Sequence, residues 1–583
     1  MSTPTEGAAA ELAQLSEEFF EVQNTSDPFS ATQLGAPGFD ALVPDPSRQG
    51  ARADAALFSA IERRLAGIDV AALDEAGEVN HAVLGRLAGA ARSDLEHGLW
   101  EANASADSYA APQSMAFMCV PAVVVNDSTS EDAYITRLSG LADFFDAITE
   151  RFGEANREGR LSTAVGTRQA IAQLEGHLAR DIEDDSLAHP TVSGTVDPVL
   201  FGTEARAIVA GTVRPALERL VSRLRDDLLP VARGDAEVGI RFVPGGEEGY
   251  RAAVRRHTTT ELSPGQIHEV GLECIAELDK EWSDLGQRVL GTSDVPSVLR
   301  RLREDRSLRF HDRAEIVAMV SDALARAEAA RDTWFPPYRI ADCIVEEIDP
   351  IEAGNAALAH YRPPAADGSR PGAHCVLTAN PQERFTYEYE ALAFHESTPG
   401  HHLQIASAQT LTWLPAYRRF LDAQVCAYVE GWGLYCERLA DEMGLYSSDV
   451  ARLGMLSFDS LRACRLVVDT GMHYFGWSRQ QAVDYMWQHT ATTAANVSNE
   501  IDRYIGWPGQ ALAYMIGRRE IRRLRVEAQQ ALGDRFEVRA FHGTVLGNGA
   551  VPLDVLERLV HRWVAAGGAP AADVGPTQEI PCA

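Results

Sequence analysis

The stretch His395-Glu396-Ser397-Thr398-Pro399-Gly400-His401-His402 decides how this chain is read. A helix that aims two imidazoles at one metal ion usually carries them four residues apart, as HExxH, because residues at that spacing lie one above the other. The glutamate beside the first histidine then reaches the water that the metal activates. Here position i+4 is Pro399, which offers no ligand atom. On an ideal helix His401 would point about 240° round from His395, and His402 would share its face but lie about 10 Å further along the axis. Proline removes a helical hydrogen bond and clashes with the preceding turn, so Pro399-Gly400 predicts a break or bulge able to swing His401 back toward a metal.

Two histidines leave room for a third ligand and an open position. Glu430, in YVEGWGLYCERLADEMG, is the best-placed carboxylate, and Glu437 falls two turns on along nearly the same helix face. Glu437 is suited to orienting a ligand histidine rather than binding metal itself. Carboxylates inside an otherwise apolar helix need a partner to be buried at all.

HESTPGHHLQ followed by EGWGLYCERL, then RLVVDTGMH (465 to 473) and DRYIGWPGQALAYMIG (502 to 517), resembles the bacterial family catalogued as a domain of unknown function, number eight hundred and eighty-five. Its members are similar to the gluzincin metallopeptidases, including thermostable carboxypeptidases and oligopeptidases. The resemblance implies a mainly α, zincin-like fold with a small β-sheet beside the active-site helix and a deep channel. It also implies one zinc ion and hydrolysis of short peptides or peptide-like amides, in an exopeptidase or dipeptidase manner. Aligned on the family's glycine-histidine pair, the second ligand becomes His401 rather than His402, and aligned on its later glutamate the third becomes Glu430. Glu396 is then the proton carrier, and Tyr514 matches the C-terminal tyrosine that donates to the oxyanion, with Tyr504 as runner-up. His473, Arg503 and Arg370 are candidates to grip a substrate carboxylate or backbone, arginine being suited to bidentate contact. The strand GAHCVLTAN takes the place of a substrate-binding edge strand. Two other functions fit the same residues: a metal-dependent amidohydrolase acting on a non-peptide amide, and a binding scaffold without catalysis.

Composition narrows the field independently. The 583 residues hold 53 basic and 84 acidic side chains, a net charge of −31, which disfavours phosphate backbones and anionic lipid surfaces as partners. Lys280 is the only lysine, so no phosphate-binding GK[ST] loop exists, and a Schiff-base lysine would have to be Lys280, in the charged segment ELDKEW. No GxSxG or strand-linked GxGxxG appears either. Eight cysteines without a CxxC pair suggest reduced, buried thiols. The N-terminal MSTPTEGAAAELAQLSEEFF lacks the basic and apolar regions of a signal peptide, and no apolar run approaches a membrane span, so the expected location is cytoplasmic.

Apolar residues at three and four spacing predict helices near 54–66, 132–156, 161–184 and 203–233, after a loop-like N-terminal stretch. IVEEIDP, NAALAHYRPP and GAHCVLTANP read as three short strands of a small sheet. A long helix, RFTYEYEALAFHESTPGHHLQIASA, follows them. The division expected is an N-terminal helical region over 1–240, a catalytic region over 241–570 and a tail over 571–583.

Overall fold

Helices dominate the computed structural model, which describes residues 4–348, 357–365, 370–420 and 423–569. The predicted helices appear as Arg48–Leu65, Ser128–Arg157 and Ala164–Leu178. The fourth is a continuous helical run from Pro198 to Leu228, in which Val209–Val213 and Arg223–Leu228 adopt π geometry. The N-terminal stretch is not loop-like. Pro4–Ser26 is a helix, because Leu12, Leu15 and Phe19 recur at three and four spacing and are buried.

The chain forms two compact units: Met1–Val254 with Val468–Asp484 and Ala495–Gly509, and Arg255–Val467 with Tyr485–Ala494 and Gln510–Ala583. The first crossing between the units falls after Val254, and the chain re-enters the first unit twice, within the stretch expected to form one region over 241–570. The first unit is helical around a core that includes Phe144, Phe145, Ile148, Leu217 and Leu220. The expected tail, 571–583, lies outside the described residues.

The second unit carries the sheet: β1 (Cys343–Glu347), β2 (Ala359–Arg362) and β3 (Gly372–Val376), in the order β1-β3-β2. The strands fall in the three predicted runs, although 349–356 lie outside the described residues. β3 runs parallel to β1 and antiparallel to β2. This corrects one expectation. The strand from GAHCVLTAN is central, so its backbone groups are already paired on both sides, and an added peptide strand would have to use β1 or β2.

The predicted long helix is two: α1 (Tyr389–Glu396) and α2 (His401–Thr410). After them come α3 (Cys426–Glu442), α4 (Asp449–Thr470) and α5 (Ala513–Leu532). All eight residues of α1 are buried, so it is a core helix without a solvent face. Its Tyr389, Ala393 and Phe394 pack with Val376 of β3, with Ile316, Val320 and Ala323 of the helix Arg313–Trp334, and with Ala440 of α3. Each large apolar side chain so buried is worth about 1.5–3 kcal/mol. α3 and α5 cross where two glycines meet. A Cβ at Gly431 would fall 2.5 Å from the Cα of Gly517, and one at Gly517 would fall 1.7 Å from the carbonyl oxygen of Ala427. Gly517→Ala should therefore overpack the crossing and destabilise the protein by at least about 1–3 kcal/mol. Thermal unfolding reads this directly, and an unchanged midpoint would mean the two helices have room to part.

Candidate metal centre

The helix break forms at the predicted place. α1 ends with the Ser397 amide donating to the Ala393 carbonyl at 3.0 Å, and α2 begins with the Gln404 amide donating to the Gly400 carbonyl at 3.1 Å. Between them the Pro399 carbonyl accepts from Trp432 Nε1 at 3.0 Å and from the Cys436 thiol at 3.2 Å, so α3 satisfies a carbonyl that the broken helix leaves over. Gly400 allows the chain to fold back: a Cβ there would sit 1.8 Å from the carbonyl oxygen of His395.

The fold-back brings His395, His401 and Glu430 together, with one ligand atom from each lying within 4.8 Å of the others. Glu430 Oε2 lies 3.4 Å from His395 Nε2 and 3.5 Å from His401 Nε2. A tetrahedral zinc with bonds of 2.0–2.2 Å spaces its ligand atoms about 3.3–3.6 Å apart, so the donor types and both spacings to Glu430 fit zinc. On the far side of the ring, His395 Nδ1 lies 2.8 Å from Glu437 Oε1. A carboxylate only accepts, so Nδ1 carries a proton toward Glu437, and Nε2 is the ring nitrogen left to offer its lone pair to a metal. His402 turns elsewhere: its Nδ1 lies 3.1 Å from the Tyr361 hydroxyl of β2, and burial pushes its pKa down to about 4.

The electrostatics show a site that calls for positive charge. Burial opposes protonation of His395, but its hydrogen bonds with Glu430 and Glu437, aided by the Glu396 charge, outweigh burial and lift its pKa to about 9. Burial pushes the Glu430 carboxyl up, and its contacts with His395 and His401 reverse this and hold it well below the usual carboxylate range. Protons or a bound cation answer the same demand.

Tyr514 joins this group, with its ring 6.5 Å from that of His395 and nearly parallel to it. It is the one partly exposed residue in a buried run over 511–518. Arg370 is half-buried in a loop whose residues 366–369 are outside the described set, and its charge acts on the Tyr361 hydroxyl and the Cys375 thiol. The other three predicted residues belong to the first unit and have contacts within it. His473 is fully buried, with Nδ1 accepting from the Ile240 amide at 3.0 Å and Nε2 donating to the Tyr504 carbonyl at 2.9 Å. Both ring nitrogens are committed to backbone, so His473 braces the fold. Arg503 Nη2 lies 3.4 Å from Glu500 Oε2, and the buried Tyr504 donates its hydroxyl to that same carboxylate.

Several contributors escape a reading by motif. Gly433 makes room for the ligand ring, since a Cβ there would fall 2.7 Å from His395 Cε1. A glycine inside an apolar helical run is the available signal. Arg462 Nη2 lies 3.5 Å from Glu437 Oε1, and the Arg465 guanidinium lies 4.3 Å from the Tyr514 ring centroid. Two arginines in the apolar run LSFDSLRACRLVV had to find partners.

Comparison with known proteins places this architecture. The family described as bacterial protein of unknown function (DUF885) matches residues 28–560. A crystal structure of a candidate lipoprotein from Colwellia psychrerythraea is 27% identical, with a TM-score of 0.87 over 97% of this chain and 100% of that one. A candidate lipoprotein of unknown function from Shewanella oneidensis is 18% identical, with a TM-score of 0.71 over 94% of this chain and 99% of that one. No curated protein matches the chain.

The neighbouring histidines give a sharp test. His401→Ala should abolish high-affinity binding of a divalent metal, followed by competition with a chromophoric chelator, whereas His402→Ala should leave it within a few-fold of the unaltered protein. The reverse outcome would reassign the second ligand.

Proposed function

The chain belongs to the bacterial family of unknown function (DUF885), and from that premise we propose that it is a zinc-dependent hydrolase cleaving peptide bonds in short peptides. In this reading it is a gluzincin-like metallopeptidase whose second unit is built as a zincin. The observation that carries it is the convergence of His395, His401 and Glu430, with Glu437 fixing the tautomer of the first histidine.

His395, His401 and Glu430 would hold the ion. When bound there, zinc supplies a Lewis acid that polarises a carbonyl and makes water acidic enough to attack near neutral pH. Glu396, at the end of α1 beside His395, takes the proton of the attacking water and passes it to the leaving amine. Tyr514 donates its hydroxyl hydrogen to the oxygen that becomes negative as the carbonyl is attacked. A peptide is held extended along β2, the antiparallel edge of the sheet, through backbone hydrogen bonds. Tyr361 on β2 contacts His402, next to the ligand His401, so this edge is tied to the metal helix.

Elemental analysis of the purified chain should find about one zinc per molecule, and absence of stoichiometric zinc would sink the proposal. Glu396→Gln should keep its zinc and lose about 10²–10⁴-fold in hydrolysis of a peptide mixture read by mass spectrometry. If the unaltered enzyme leaves peptides intact and turns over acylated metabolites instead, the amidohydrolase reading takes its place. The charge of −31 adds an expectation: kcat/KM for a basic peptide should exceed that for its acidic analogue, with the gap closing as salt rises. Equal rates at low salt would discard charge steering.

A further inference from the structure

Glu437 is fully buried, and a carboxylate taken out of water is stable only with charge or several hydrogen bonds to meet it. His395 Nδ1 supplies one hydrogen bond, at 2.8 Å to Oε1. The second approach to that same oxygen is Arg462 Nη2 at 3.5 Å, from a side chain only 6% exposed. Glu437 Oε2 and Arg462 Nε and Nη1 make no hydrogen bond within the described protein, so the two interactions converge on a single carboxylate oxygen. The other flank of the guanidinium is apolar, its Cζ lying 4.5 Å from the Phe458 ring centroid.

Charge leads to the same residue. Glu396, Glu430 and Glu437 bring three negative charges to one buried region, and a divalent cation answers two of them. Arg462 supplies the third positive charge. Glu388 is the other buried carboxylate that feels the Arg462 charge, so the guanidinium has two possible acidic partners.

We infer that Arg462 is a positioning residue of the metal centre: it holds Glu437 Oε1 against His395 Nδ1, and through that contact it fixes the tautomer and ring orientation with which His395 meets the metal. This rests on the metal reading proposed above, and it assigns α4 a part in metal affinity although α4 contributes no ligand.

The experiment is a double-mutant cycle on zinc affinity in the full chain, measured by chelator competition at constant pH. Arg462→Met, Glu437→Gln and the double variant are compared with the unaltered protein, and unfolding of the zinc-free proteins is followed alongside. Arg462→Met is expected to weaken zinc about 10–100-fold, the range for partners behind a metal ligand. It should add little once Glu437 is already Gln. Arg462→Lys keeps the charge in a smaller head; it should recover part of the loss and serves if Arg462→Met does not fold. A cobalt-substituted sample should show a shifted visible spectrum in Arg462→Met, which a loss of stability alone would not produce. Tight zinc in the unaltered chain with unchanged affinity in a folded Arg462 variant would overturn the inference and leave the metal reading standing. Fully additive effects would overturn it too, pointing to Glu388 as the partner that matters. No saturable zinc in the unaltered chain would remove both.

Discussion

Gly400 lies so close to the backbone of α1 that a Cβ would be 1.8 Å from the carbonyl oxygen of His395 and 2.5 Å from that of Phe394. The candidate metal centre depends on this approach. In a continuous helix His401 would point away from His395; folded back through Pro399 and Gly400, the chain starts a second helix with His401 beside it. The fold-back also leaves a carbonyl unused at Pro399, and Trp432 and Cys436 of α3 accept the task of pairing it. The same helix thus clamps the break and delivers Glu430 and Glu437.

How close α3 can come is set by glycine as well. Gly433 leaves space for the His395 ring, and Gly431 meets Gly517 where α5 crosses. Glu430 and Tyr514 flank that crossing, and each is partly exposed within an otherwise buried stretch. The two side chains to which the proposed function gives chemistry therefore stand where two helices are pressed together and the packing opens.

What could be read from the chain follows from how far apart the determinants lie. The HExxxxH pattern, the break at Pro399 and the pair Glu430 and Glu437 are local features, legible because their residue types and spacing can be weighed against metal-ligand chemistry and helix geometry. Strand positions were legible from apolar runs and turns, but not the order of the strands, which placed β3 between its neighbours. The helix Pro4–Ser26 was hidden because its apolar residues are few and interspersed with alanine and glutamate. His473 and Arg503 stand in stretches that carry the family resemblance and offer groups suited to gripping a carboxylate. Glu500 lies one turn before Arg503 and was legible as its partner, whereas Ile240, the partner of His473, is 233 residues away in the chain. Arg462 escaped as His473 did: its partner lies on a different element.

His395 is confined on three sides, by Glu437 at Nδ1, by the space above Gly433 and by the nearly parallel ring of Tyr514. An imidazole held this way has already given up its rotamer freedom, worth about 0.5–1.5 kcal/mol when a side chain is immobilised on binding. Donors held at fixed spacing favour a metal ion by its size. Two imidazoles and a carboxylate at this spacing match an ion with bonds near 2 Å, while calcium, with bonds of 2.3–2.6 Å and six to eight oxygen ligands, finds neither the room nor the donors. Under the metal reading proposed above, confinement of one histidine becomes selectivity among metal ions.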